Sequence, residues 1–161
     1  MNPRFCLPAA IAAALLLGSA APGVAQDTAR PRDAAAIRAC AEKYNQNVDE
    51  GERRCIFAIA SDPSTKRKAQ AAHGAAECFR AEQAIWDDLL NENFRTLREG
   101  LDEDQKVKLR DMQRAWIEYR NTTCQFYYDK IQGTMAIDMT AACLARETAR
   151  RALLLRFFQG L

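Results

Sequence analysis

A mixed polar and aromatic stripe is the part of this sequence best placed for chemistry. Gln113, Trp116 and Arg120 recur at intervals of three and four residues, so on a helix they share one face. Companion polar residues on two other predicted helices are Glu82, Thr148 and Arg151. Such a set is either a polar binding site between helices or a buried network whose members satisfy one another. Because an unpaired buried charge is costly, we interpret it as a structural network and keep the binding site as the alternative.

The sequence gives little support to catalysis. His73, the single histidine, lies in a polar loop with no serine or cysteine placed beside it in a catalytic pattern. Asp87 and Asp88 are paired acids, as glycoside hydrolysis requires. Neighbouring residues on a helix point about 100° apart, however, so these two do not face one site. With no phosphate-binding loop and no dinucleotide fingerprint either, we predict a non-enzymatic protein without a cofactor.

A cluster of acids between two predicted helices is the one local feature suited to a cationic partner. Its members, called the acidic turn below, are Glu99, Asp102, Glu103 and Asp104. The simpler explanation is that acids stabilise a helix N-terminus through the helix dipole. We keep the acidic turn as a candidate partner-binding site.

The first 25 residues predict a cleavable export signal. A basic start, an apolar run over 5–18 and small residues over 19–25 form the three-part pattern of such signals, and the run is short for a membrane span. We expect cleavage after Ala25 and a periplasmic or secreted protein without a membrane span. The expected organisation is a signal peptide (1–25), a flexible leader (26–32) and a single helical domain (33–161).

The balance of charge excludes one class of partner. Removal of residues 1–25 leaves 136 residues with 22 basic and 21 acidic side chains. A nucleic-acid-binding protein needs a concentrated positive surface to displace counterions, so nucleic acid is not expected as a partner. A chain of this length is sufficient for one compact domain with one core.

The cysteines indicate a disulfide framework. Those that follow the predicted signal are Cys40, Cys55, Cys78, Cys124 and Cys143. Export favours disulfides, whereas the lack of a C-x-x-C motif and the single histidine argue against a metal site. Cys124 and Cys143 lie ten and nine residues on either side of Thr134, which puts them at the same height in an antiparallel helix pair. For the others we expect Cys40–Cys78 with Cys55 left over, and Cys40–Cys55 is the rival pairing.

Helical periodicity dominates the chain, and no alternating apolar run predicts a strand. The predicted helices cover 33–47, 52–60, 75–99, a fourth stretch that starts behind Asp102 and ends before Gly133, and 138–158. Gly100 is expected to end the third helix in a left-handed cap, and Asp102 with Gln105 to form a capping box for the fourth.

The fourth predicted helix has the clearest apolar pattern. The residues expected along its buried seam are Leu109, Met112, Trp116, Tyr119, Thr123 and Phe126. Such a seam is typical of a helix packed nearly antiparallel to its neighbours. The sequence therefore predicts an all-α fold, an antiparallel three-helix bundle core with a short N-terminal helical pair, stapled by disulfides.

Three segments also carry a family resemblance. They are Cys78-x-x-x-Glu82-x-x-x-Trp86-Asp87-x-x-Leu90-Asn91-x-x-Phe94, Gln113-Arg114-Ala115-Trp116-x-x-x-Arg120-x-x-x-Cys124 and Cys143-x-x-x-Glu147-Thr148-x-x-Arg151-x-Leu153. In order and spacing they resemble the LprI-like lysozyme-inhibitor family of bacterial envelope proteins. The polar residues within the resemblance are Glu82, Asn91, Gln113, Trp116, Arg120, Thr148 and Arg151.

The resemblance implies an exported binding protein that inhibits lysozyme by protein–protein contact. The alternative is an envelope assembly or binding module with no lysozyme partner. The chain departs from the family pattern at three places: Asn121 stands where relatives usually have an aspartate, Gln132-Gly133-Thr134 stands where they commonly have a double glycine, and Ser64 stands near the place of a further cysteine. The missing cysteine would explain the odd count.

Overall fold

The computed structural model of the chain describes residues 31–63 and 74–161. The predicted signal peptide, most of the predicted leader and the loop with His73 lie outside these residues.

The described residues are helical and contain no strand, which confirms the all-α prediction. The helices are α1 (Pro31–Lys43), α2 (Val48–Cys55), α3 (Ala75–Glu99), α4 (Glu103–Ile131) and α5 (Gly133–Phe158). The predicted bounds of α3 are confirmed. Helix α1 begins two residues earlier than expected, at Pro31, where a proline suits the first helical turn. Helix α2 spans 48–55 rather than 52–60, because Ile56 is already extended.

The turn between α3 and α4 confirms one predicted cap and corrects another. Asp102 and Gln105 form the expected capping box, each side chain accepting a hydrogen bond from the other's backbone N–H, at 2.8 and 3.0 Å. The left-handed conformation expected of Gly100 was wrong, since its φ is −85° and its ψ −2°. Its N–H bonds back to the carbonyl of Leu97, so the chain turns without a positive φ.

Helix α5 is the central element of the fold. The backbone N–H of Ala76 donates to Asp138 Oδ1 at 2.8 Å, and Asn93 Nδ2 donates to the carbonyl of Ala152 at 3.0 Å. The later residue of α3 thus contacts the later residue of α5, so the two helices run parallel. Helix α4 runs antiparallel to α5, because Gln113 contacts Arg151 whereas the later residue Cys124 is bonded to the earlier residue Cys143.

Helices α3 and α4 both pack along α5 but have little direct contact with each other. Both helices thus pack mainly on α5, and mutual packing of all three long helices, which the predicted bundle requires, is not confirmed. Helix α2 also packs on α5, and α1 bridges α2 and α3.

The apolar core lies mainly between α1, α2, α3 and α5. Its largest fully buried apolar side chains are Trp86, Ile37 and Leu155. Helix α4 adds Leu109 and, at the margin, Trp116. Burial of side chains of this size is the main stabilising contribution, about 2–3 kcal/mol for each.

The inward face of α4 differs from the predicted seam. Leu109 is buried as expected, but Met112, Tyr119 and Phe126 are exposed. The face turned toward α5 carries Trp116, as predicted, together with Gln113 and Cys124, which the predicted seam did not include. Because α4 packs on a single long helix, only a narrow stripe needs burial, and the bond at Cys124 fixes which stripe that is.

Two disulfides join the helices. Cys124 is bonded to Cys143, the pairing that the sequence favoured, with Cα atoms 5.5 Å apart. The expected Cys40–Cys78 bridge was wrong: Cys40 is bonded to Cys55, the rival pairing. The short link between α1 and α2 turns the two helices back on each other and brings these two residues together. Cys78 belongs to neither bridge and is buried on α3.

Among the helices of residues 31–63 and 74–161, none combines the length and the apolar character that crossing a bilayer needs.

Candidate functional site

The mixed stripe of α4 meets α5 in a stack of two arginines on one indole. The Cζ of Arg120 lies 4.8 Å from the centre of the Trp116 ring, and that of Arg151 lies 5.7 Å from it. Arg120 is anchored to α5 through Thr148, whose Oγ1 accepts from Nη1 at 3.3 Å. Guanidinium groups are attracted to the electron-rich face of an indole, so the ring holds both cations.

Arg120 also has a neighbour on its own helix. Its Nε and Nη2 both donate to Asn121 Oδ1 at 3.2 Å. Because the side chain of Asn121 is uncharged, the guanidinium is bonded here to a neutral amide. A neutral acceptor leaves the positive charge of Arg120 uncompensated at this contact.

Arg151 is the more buried of the two arginines, with 6% of its surface exposed. Its Nε donates to Gln113 Oε1 at 2.7 Å, whereas its buried Nη2 has no hydrogen-bond partner among the described residues. Removal from water lowers the pKa of this guanidinium. The charge is thus held by an amide and an indole, with no carboxylate at ion-pair distance in the described structure.

Glu82 does not join this network. Its carboxylate is fully buried and accepts from the backbone N–H groups of Phe57, Ile59 and Ala60 at 2.6, 3.1 and 2.8 Å. A fourth bond, of 3.1 Å, comes from Trp86 Nε1. The interpretation that Glu82 pairs with Gln113, Arg120 and Arg151 was therefore wrong. Four donors around one carboxylate fix the turn after α2 against α3.

Sequence reasoning missed the partners of Glu82 because they are backbone groups, which carry no residue signature. The turn bends at Phe57, whose φ is +65°, a conformation uncommon for a large side chain. The only available signal was the apolar sequence after Cys55, which reads equally well as a continued helix.

The remaining family residue, Asn91, lies outside the network. It is exposed on α3 and donates to Asp87 one turn earlier at 3.2 Å. Asn93, which the sequence did not single out, is buried and bonds to α5 instead. Gln159 closes this contact by donating to the Asn93 carbonyl at 3.1 Å. The signal available in the sequence for Asn93 was its helical spacing on the apolar face of α3.

The acidic turn is largely occupied by contacts within the chain. Asp102 caps α4, and Glu103 accepts from Lys106 Nζ at 2.8 Å. The hydrogen bond from Lys106, and to a smaller extent the charge of Arg98, lowers the pKa of Glu103. All four acids are exposed, and Glu99 and Asp104 are the two that make no hydrogen bond or ion pair in the described structure. The turn therefore offers two unengaged acids among several cations and is not a concentrated negative patch.

One flank of α4 presents apolar side chains to solvent. We call Met112, Tyr119 and Phe126 the α4 flank; they recur every seven residues and so lie in line along the helix. All three are exposed. Aligned exposed aromatic and methionine side chains are typical of protein-binding surfaces.

Within residues 31–63 and 74–161, no group of three or more metal-ligating side chains lies close enough together to hold an ion. The polar contacts of Arg120 with Thr148 and of Arg151 with Gln113 join α4 to α5.

Comparison with known families gives a direct result. The family model described as "Lysozyme inhibitor LprI" matches residues 63–155, more than half of the chain. The chain belongs to the LprI family. No curated protein and no solved structure matches it.

The match covers α3, α4 and nearly all of α5 and hence includes the Arg120–Trp116–Arg151 stack, Glu82 and the Cys124–Cys143 bridge. Helices α1 and α2 precede it. The LprI match and the two disulfides are consistent with a protein that resides outside the cytoplasm.

Proposed function

We propose that this LprI-family protein is exported and binds lysozyme, inhibiting it by protein–protein contact. The observation that carries the proposal is the match to the lysozyme-inhibitor family over residues 63–155. The export signal expected over 1–25 and the disulfides support a location where lysozyme acts.

The α4 flank is the surface proposed for the contact. Its members are large, exposed and of the types enriched in the centres of protein interfaces. Glu118 lies beside Tyr119 on the outer side of α4 and is exposed, which suits a basic partner such as lysozyme. Since Cys124 holds α4 to α5, this surface is rigid before binding, and less ordering free energy is lost on association.

A clearing assay with peptidoglycan tests both parts of the proposal. Purified protein at near-stoichiometric amounts is expected to slow lysis by lysozyme. The double variant Tyr119→Ser/Phe126→Ser should weaken inhibition at least tenfold, as expected for loss of two central aromatic contacts. Tyr128→Ser is the matched control, because Tyr128 is exposed on the opposite side of the same helix.

The acidic turn provides the competing location for the contact. Neutralising Glu99 and Asp104, which are exposed, should change inhibition little if the α4 flank is the binding surface. A loss in this variant together with full activity of Tyr119→Ser/Phe126→Ser would move the contact to the turn.

An envelope assembly or binding module without a lysozyme partner is the second candidate. The near balance of acidic and basic residues favours it, since a neutral protein has no long-range field to attract a strongly basic enzyme. Absence of inhibition at large excess would reject the lysozyme proposal and leave this one.

A further inference from the structure

An open groove of about 390 Å³ lies where the end of α3 meets the first turns of α4. Four cations line it: Arg95 and Arg98 from α3, and Lys106 and Arg110 from α4. Phe94 and Val107 supply its apolar part, and Glu103 is the one carboxylate in the lining.

The charges of the groove do not cancel. Glu103 is paired with Lys106 at 2.8 Å, and Arg110 is paired at 3.0 Å with Asp111, which does not line the groove. Arg95 and Arg98 are exposed and make no ion pair within the described structure. The side chains in the lining carry four positive charges against one negative charge.

Helix electrostatics explain only part of this arrangement. Arg98 lies in the last turn of α3, where a cation is stabilised by the helix dipole. Lys106 lies in the first turn of α4, where the dipole disfavours positive charge, and Arg110 lies a turn further along, where the dipole has little effect. The dipoles of α3 and α4 therefore do not explain why cations from both helices surround the apolar side chains of this groove.

We propose that this groove binds an amphiphilic anion, a phosphate-bearing group joined to a short apolar segment. Arg95 and Arg98 would hold the phosphate oxygens, since a guanidinium presents paired N–H donors that match phosphate geometry. The apolar segment would lie against Phe94 and Val107. The volume falls within the range of small-molecule sites, and the groove is separate from the α4 flank.

Calorimetric titration with dihexanoylphosphatidylglycerol tests the proposal. The matched ligand is dihexanoylphosphatidylcholine, which has the same tails and no net charge. We expect saturable binding of the first and much weaker binding of the second. Added salt should weaken the interaction, because exposed charges are screened.

The protein side of the test uses variants that remove charge without removing packing. Arg95→Gln/Arg98→Gln should weaken binding of the anionic lipid roughly tenfold, the effect of two solvent-exposed charge contacts. Arg114→Gln, an exposed arginine on α4 outside the lining, should leave it unchanged. Circular dichroism checks that each variant is folded.

Two further measurements distinguish a bilayer lipid from a soluble phosphate ester as the source of the ligand. Sedimentation with phosphatidylglycerol vesicles supports a bilayer headgroup, whereas binding of the short-chain lipid alone supports a soluble phosphate ester. Three results would overturn the proposal: equal affinity for the phosphatidylcholine, equal affinity for inorganic phosphate, or equal losses in the Arg95/Arg98 and Arg114 variants. Lysozyme inhibition is a separate readout, so either proposal can fail alone.

Discussion

Arg151 donates to Gln113 across the α4–α5 contact at 2.7 Å, and this is the only hydrogen bond that its guanidinium makes in the described structure. The bond joins a buried cation to a neutral amide. Burial lowers the pKa of Arg151, so the folded chain binds this proton less tightly than the unfolded chain does. The resulting loss of folding stability is present in full below the folded-state pKa of Arg151. It disappears only as the pH rises toward the unfolded-state pKa, far above neutrality.

Replacement of the amide should therefore harm the fold more than replacement of the cation. We expect Gln113→Leu to lower the free energy of unfolding by about 2 kcal/mol, because a buried guanidinium then loses its acceptor. Arg151→Met should change it by less than about 1 kcal/mol, since the buried charge is removed as well. Urea unfolding followed by circular dichroism measures both, and the opposite order would contradict the interpretation.

Glu82→Gln should destabilise the protein by about 2–3 kcal/mol. The amide nitrogen of glutamine is a donor and would face backbone N–H groups that now donate to a carboxylate oxygen. Glu118→Gln, on the exposed side of α4, is the control with the same chemical change. Equal unfolding midpoints for the two variants would show that the four hydrogen bonds around Glu82 contribute little.

The disulfide pairing predicts a peptide map. Digestion of the unreduced protein should yield one fragment in which Cys40 is linked to Cys55 and another in which Cys124 is linked to Cys143. Paired Cys124→Ala/Cys143→Ala replacement should cost roughly 3 kcal/mol through the freedom restored to the unfolded chain. Mass mapping that found Cys40 joined to Cys78 would refute the observed framework.

Acid should weaken α2. Hydrogen bonds from Arg54, then from Arg53, lower the pKa of Glu50 below its ordinary value. A carboxyl with a lowered folded-state pKa stabilises the fold above its unfolded pKa, and this contribution is lost as the pH falls through the folded value. In the Glu50→Gln variant, the free energy of unfolding should thus fall less steeply as the pH is lowered into the acid range. The profile of Asp104→Asn, an exposed acid without a hydrogen-bond partner in the described residues, provides the comparison.

Local chemistry was sufficient to predict some elements from the sequence. The bounds of α3 follow from its apolar spacing, and the Asp102–Gln105 box follows from residue types that satisfy each other across one turn. The Cys124–Cys143 bond follows from equal heights in an antiparallel pair. Each of these features depends on neighbours in the chain or on a simple helix geometry.

Features set by distant parts of the chain were mispredicted. The rotation of α4 depends on what α5 offers, and α5 offers Thr148 and Arg151 rather than a second apolar seam. Periodicity alone therefore placed Tyr119 and Phe126 inside. The partners of Glu82 were out of reach for the same reason, because backbone amides of a turn 22–25 residues away leave no pattern in the sequence.

The central place of α5 has a consequence for the order of assembly. Helices α2, α3 and α4 all precede α5 during synthesis, and each has its main packing surface on it. Until α5 is made, the earlier helices lack the partner against which they bury their apolar sides. The nascent chain is thus expected to stay loosely folded through most of translation, with exposed apolar segments to which a chaperone can bind.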